Sequence, residues 1–178
     1  MPDPAKVTGR WGSFLEATRT LISNSAYFQT WTGTASAALA LERIVLCSEA
    51  EENLTTPYAV VFTGDGLVVS NEATGQYFSK WPIGGSVMVR FVAEIDADYV
   101  TAEDSQGAVR KFMNDVQGHL DSGVDNSYNG VVEQMIAGLE AIGLQLSEIG
   151  PTDEPVPWRG VAVGDQRNLI MWEWQFTL

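Results

Sequence analysis

The only histidine, His119, is a candidate general base, since histidine is the side chain that most often has this role near neutral pH. It follows Asp115 by four residues, so on a helix the carboxylate and the imidazole would share a face. The interpretation we favour is a helix residue near a C-terminus, where the helix dipole stabilises a positive charge. With one histidine and one cysteine, Cys47, the sequence offers little material for a histidine-rich metal site or for Cys–His catalysis.

Three alternating carboxylates, Glu94, Asp96 and Asp98, are the best candidates for a divalent metal site. Alternate residues of a strand share one face, so their oxygens would point together, as a hard cation requires. We favour a second interpretation, in which a solvated strand end leads into the acidic first turn of a helix near Glu103.

The remaining motifs are fragments of functional patterns. Asp121, Asp125 and Asn126 resemble part of a calcium loop, but the central glycine and terminal glutamate are missing, and an interhelical turn explains them. Gly64-Asp65-Gly66 and Gly84-Gly85 lack the Gly-Lys-Ser/Thr of a phosphate loop, and turn glycines explain both. The sequence predicts no catalytic, metal-binding or cofactor-binding residue, and a protein that is not an enzyme.

Aromatic residues are more informative than the polar motifs. Tyr77, Phe78 and Trp81 lie between glycine-rich turns, so we expect them to project from a loop and to offer a contact surface. The other aromatic clusters, near the N-terminus and the C-terminus, are explained at least in part by the core.

Hydrophobic periodicity predicts one α+β domain, 1–178, with a mixed or antiparallel sheet flanked by a few helices. Residues 1–10 are predicted to be a flexible N-terminal arm. We predict helices over 11–22, 35–41, 103–120 and 128–139, and a short aromatic segment over 25–31 that Gly33 closes. We predict strands over 44–47, 58–62, 67–69, 77–81, 87–95, 144–149, 158–163 and 169–178, with 67–69 turning back to pair with 58–62.

Charge excludes several classes of partner. The 178 residues carry 23 acidic and 10 scattered basic side chains, a net charge of −13, which opposes tight binding of nucleic acid or of an anionic membrane. A single cysteine cannot form a disulfide within the chain. No apolar run approaches the ~20 residues of a membrane span, and the N-terminus lacks a signal-peptide pattern. We therefore expect the protein in the cytoplasm or inside a particle.

Several segments along most of the chain form a recognisable pattern together. They are Leu21-Ile22, Ser25, Phe28, Trp31-Thr32-Gly33, Pro57-Tyr58-Ala59-Val60-Val61, the strand 87–95, Phe112-Met113-Asn114-Asp115-Val116, Ile149-Gly150-Pro151 and Trp172-Glu173-Trp174-Gln175-Phe176. With these segments the chain resembles the tail terminator (tail-completion) proteins of long-tailed bacteriophages and prophages. The order of elements is also similar, from an N-terminal helix through strands and helices to a final hairpin.

The resemblance implies a structural virion protein that forms a homo-oligomeric ring, commonly six-fold, on the end of the tail tube. Such a ring stops polymerisation of the tube protein and presents a face to the head–tail connector, while DNA passes through the lumen without specific binding. It implies assembly in the host cytoplasm and a final place in the virion tail or neck. Ring contacts are expected at sheet edges and at two loops: the acidic loop 49–56, with Glu51 and Glu52, and the aromatic loop 75–83.

Three alternatives stay open at this point. Another phage neck, head-completion or tail protein would have similar size and acidity. An acidic monomeric inhibitor would bind a basic partner. A metal-dependent hydrolase would use Glu94, Asp96 and Asp98.

Overall fold

The computed structural model describes residues 10–46, 54–64, 68–69, 83–84, 86–102, 104–120, 148–159 and 167–177. The predicted N-terminal arm up to residue 9, strand 77–81 and helix 128–139 lie outside these ranges. The helices are α1 (Arg10–Asn24), α2 (Ala26–Trp31), α3 (Ala37–Leu41), α4 (Ile95–Asp98) and α5 (Ser105–Leu120). The strands are β1 (Ile44–Leu46), β2 (Tyr58–Thr63), β3 (Val68–Val69), β4 (Ile83–Gly84), β5 (Ser86–Glu94), β6 (Glu148–Pro151), β7 (Val156–Arg159) and β8 (Asn168–Thr177).

Short polar side chains begin the small N-terminal helices and a glycine ends one of them. The Ser25 hydroxyl accepts a hydrogen bond from Phe28 N at the start of α2, and the Ser36 hydroxyl accepts one from Leu39 N at the start of α3. Gly33 has a φ of +64°, a left-handed conformation that costs glycine nothing and ends α2. The predicted helices 11–22, 35–41 and 103–120 are thus confirmed, apart from their exact bounds, and most of the segment 25–31 is helical as well.

Six strands form one mixed sheet in the order β1-β2-β5-β8-β6, with β7 also paired to β8. Among the strand pairs of this sheet that the structure describes, only β1 and β2 run parallel, and the others are antiparallel. Because β5 pairs with β8 from Leu169 to Thr177, β6 and β7 share the opposite edge of β8. The α+β prediction with a mixed sheet is confirmed.

The predicted hairpin between 58–62 and 67–69 is wrong. β2 pairs with β1 and β5, whereas β3 pairs with β4 in a separate two-stranded sheet. The long apolar strand β5 offers β2 six paired positions, many more than the short β3 could provide. Gly64 ends β2 beside β5, with its N–H bonded to Ser86 O at 2.9 Å. A Cβ on Gly64 would collide with Ser86 Oγ and lie 3.1 Å from Ser86 Cβ and 3.2 Å from Met88 Cγ, so the close approach of the two strands favours glycine there.

The sheet buries both faces. Val87, Val89, Phe91 and Ala93 face the larger core with alternate residues of β2 and β8, and α1, α2, α3 and α5 cover that face. The opposite face holds a smaller apolar cluster formed by Val45, Tyr58, Val60, Val92 and Leu169. This period-two separation confirms the predicted alternation in 87–94 and 169–177, whereas Ile95 begins α4 and lies beyond the strand.

Candidate functional site

The predicted contact residues lie outside the described part of the chain. This applies to Glu51 and Glu52 of the acidic loop and to Tyr77, Phe78 and Trp81 of the aromatic loop. Their role stays a prediction.

The metal hypothesis required Glu94, Asp96 and Asp98 to lie on one face of a single strand. β5 stops at Glu94, and Ile95–Asp98 form one turn of helix, α4. Asp98 Oδ2 accepts a hydrogen bond from Glu94 N at 2.7 Å, so this carboxylate stabilises the turn. Within the described ranges, no three His, Cys, Asp or Glu side chains are close enough to share a metal ion. The hypothesis that these three carboxylates share one face of a strand is therefore wrong.

The structure instead shows a groove between α2 and α5, beside the segment that joins α4 to α5. Its cavity volume is about 610 Å³, within the ~300–1,000 Å³ typical of ligand sites. Aromatic rings and carboxylates line it together, with one lysine at the side. The lining residues are Ala26, Tyr27, Thr30, Trp31, Pro57, Asp98, Tyr99, Lys111, Asn114 and Asp115.

Two consecutive hydrogen bonds connect three of the residues that line the groove. Trp31 Nε1 donates to the Tyr99 hydroxyl at 3.0 Å, and that hydroxyl donates to Asp115 Oδ2 at 3.0 Å. The three residues come from α2, from the end of α4 and from α5, so these bonds tie together elements that are distant in sequence. We call this set the Trp31–Tyr99–Asp115 clamp.

Aromatic packing fixes the rings of the clamp. Phe112 meets Tyr99 edge-on with ring centroids 6.2 Å apart, and Trp31 meets Phe91 edge-on at 6.0 Å. Tyr99 is only 3% exposed and Phe112 is fully buried. The clamp is consequently anchored to the larger core and to β5.

The environment keeps Tyr99 as a neutral phenol. Burial, the largest cause, raises the pKa of its hydroxyl far above the ordinary value of 10.0. The bond from Trp31 lowers this pKa, whereas the negative charges of Asp115 and Asp98 raise it further. The protonated hydroxyl thus bridges the indole of Trp31 and the carboxylate of Asp115 and holds these two side chains in place.

His119 lies in α5, four residues after Asp115, as predicted. Within the described residues, the hydrogen-bond partner of Asp115 is Tyr99, whose hydroxyl donates to Asp115 Oδ2. Sequence reasoning missed Tyr99, since its polar partners lie 68 and 16 residues away. The only local signal was an aspartate beside the apolar stripe of α5.

A second polar pair lies on the opposite face of the sheet. Arg90 Nε contacts Glu173 Oε1 at 2.7 Å across β5 and β8, and the guanidinium lies 5.1 Å from the centroid of the Phe62 ring. Both charged side chains are about one quarter exposed, at 23% and 25%. Arg90 and Glu173 lie directly opposite each other in the pairing of β5 with β8, so their contact supports the register of these two strands.

The two sheet edges differ as possible templates for strand addition. Pro151 and Pro157 lie on β6 and β7, the edge of β8 away from β5. Proline has no N–H, so an added strand would lose hydrogen bonds there. At the other edge, β1 pairs only with β2 among the described strands.

No helix in the described ranges is long and apolar enough to cross a membrane. No protein-family model matches the chain, and no curated protein sequence is significantly similar to it.

Proposed function

We propose that the chain is a structural phage subunit of the tail-terminator type, which forms a ring that caps the tail tube and meets the head connector. The observation that carries the proposal is the order of elements. An N-terminal helix, a mixed sheet, a long helix and a closing antiparallel pair, β7 and β8, follow the order that the resemblance leads one to expect.

Charge supports the same proposal. Four of the ten basic side chains, Arg19, Arg43, Arg90 and Arg167, bind carbonyl or carboxylate oxygens within the fold. They are thereby committed to internal contacts, which lowers the number of cations that remain for a phosphate backbone. A ring of chains with −13 each would repel DNA from its lumen and let it slide through.

A closed ring needs a heterologous interface, in which two different surfaces of one chain meet on neighbouring copies. The described surface offers the β1 edge, while the prolines make the β6–β7 edge a poor template. The loops 49–56 and 75–83 remain the predicted contact loops.

The proposal is tested by electron microscopy of the purified chain together with a triple variant. Wild-type particles are expected as rings with a central hole. Tyr77→Ser/Phe78→Ser/Trp81→Ser is expected to remove the rings while far-UV circular dichroism and the urea midpoint stay close to wild type.

The control is Leu39→Ser/Val100→Ser, which removes two apolar side chains that are 47% and 73% exposed and lie outside the loop 75–83 in the sequence. It is expected to leave the rings intact. Rings that persist in the triple variant would contradict the assignment of the aromatic loop, and a wild-type chain without rings under any condition would contradict the proposed function.

A further inference from the structure

Two carboxylates in the groove each keep one oxygen for a ligand. Asp98 uses Oδ2 to accept from Glu94 N, and Asp115 uses Oδ2 to accept from Tyr99. In the part of the chain that the structure describes, no hydrogen bond reaches Oδ1 of either residue. Both residues line the same groove, so it presents two acceptors with negative charge.

Aromatic rings line the groove beside these acceptors. Trp31 and Tyr99 are held by the clamp, and Tyr27, 36% exposed, stands on α2. Aromatic faces attract cations, and a planar guanidinium can both stack on a ring and bind carboxylates.

The chain's own lysine places a cation beside one of these rings. Lys111 Nζ lies 5.7 Å from the centroid of the Tyr99 ring, although the residue is exposed and free to turn towards solvent. The ammonium forms no salt bridge within the described residues. Lys111 therefore occupies part of the groove as an exchangeable cation.

From this complementarity we infer that the groove binds a basic side chain of a partner protein, arginine in preference to lysine. The guanidinium lies against the aromatic rings and donates to Asp98 and Asp115, and Lys111 turns outward to admit it. The inference goes beyond ring formation, since it concerns recognition by each chain whether or not copies assemble.

Acetyl-arginine amide is the probe, and acetyl-citrulline amide, which has nearly the same shape without the charge, is its control. Binding is followed by the indole N–H signals in NMR spectra, with Trp31→Phe used only to identify the Trp31 signal. Affinity for a single side chain is expected in the millimolar range, with arginine several-fold tighter than citrulline.

Three variants are expected to change the affinity for arginine, two by weakening binding and one by tightening it. Asp98→Asn and Asp115→Asn keep an acceptor for the existing hydrogen bond and are each expected to weaken arginine binding by about two- to five-fold. Lys111→Met removes the competing cation and is expected to tighten it by a similar factor. Asp96→Asn, exposed in α4 and absent from the groove lining, is the charge-matched control and is expected to change nothing.

Equal binding of arginine and citrulline, or no binding of either, would overturn the inference. So would a Lys111→Met variant that binds arginine more weakly than wild type, or an Asp96→Asn effect as large as that of Asp98→Asn. None of these outcomes depends on whether rings form, so the inference and the proposed function fail separately.

Discussion

The Trp31–Tyr99–Asp115 clamp predicts a large loss of stability when one oxygen atom is removed. Tyr99→Phe keeps the ring and its contact with Phe112 but deletes the hydroxyl that accepts from Trp31 and donates to Asp115. A neutral hydrogen bond contributes about 0.5–1.5 kcal/mol, and a bond to a charged group about 1.5–3 kcal/mol. Asp115 is only half-buried and regains water, so we expect a net loss of about 2 kcal/mol.

Urea unfolding measures this loss directly. With a slope of about 2 kcal/mol per molar urea, the midpoint of Tyr99→Phe should fall by about 1 M without a change in slope. Tyr27→Phe makes the same chemical change at an exposed position on the same groove and should shift stability by less than about 0.5 kcal/mol. A Tyr99→Phe loss no larger than that of Tyr27→Phe would refute the reasoning.

A comparison of the wild-type protein with Tyr99→Phe also tests the pKa of Tyr99. Burial raises this pKa in the folded chain above its unfolded value of 10.0, so above pH 10 the unfolded chain loses a proton that the folded chain keeps. The contribution is fully present below pH 10 and declines by about 1.4 kcal/mol per pH unit above it. Because Tyr99→Phe lacks this dependence, the wild-type advantage should shrink between pH 9 and pH 11. A constant difference would contradict the burial of a protonated hydroxyl.

Three further changes test the framework around the groove. Gly64→Ala should cost about 1–3 kcal/mol in urea unfolding because its Cβ meets β5, whereas Gly150→Ala, with nothing within 4 Å of its Cβ, should cost much less; equal losses would contradict the close approach. A double-mutant cycle with Arg90→Met and Glu173→Gln should give a coupling energy of about 1 kcal/mol that falls in high salt, and additive losses would show that the pair is not coupled. Asp104→Ala removes the carboxylate that accepts from Gly107 N at 2.6 Å at the start of α5 and should lower stability by about 1 kcal/mol; an unchanged midpoint would contradict that cap.

Much of the fold was predictable because local patterns dominate its longest elements. The alternation in 87–95 and 169–178 has period two, and the sheet requires the same period to bury both faces. The stripe formed by Val109, Phe112 and Val116 likewise fixes the buried side of α5.

Strand pairing and the site were not predictable for a physical reason. A turn signal after β2 indicated a local hairpin, but nothing local shows that a later strand, β5, competes for the same edge. The alternation of Glu94, Asp96 and Asp98 indicated one face of a strand. In the structure the chain instead forms α4 at this point, and Asp98 Oδ2 accepts a hydrogen bond from Glu94 N. The clamp combines three sequence-distant residues, and only the packing of α2 on α5 brings them together.

Solution mass by light scattering, over a wide concentration range and at low and high salt, tests ring assembly most directly. The account predicts a species of about six times the chain mass of 19.4 kDa, which grows with concentration and is favoured by salt that screens the charge of −13 per chain. A strict monomer at every concentration and salt would contradict self-assembly into a ring and would favour an acidic inhibitor that binds a basic partner.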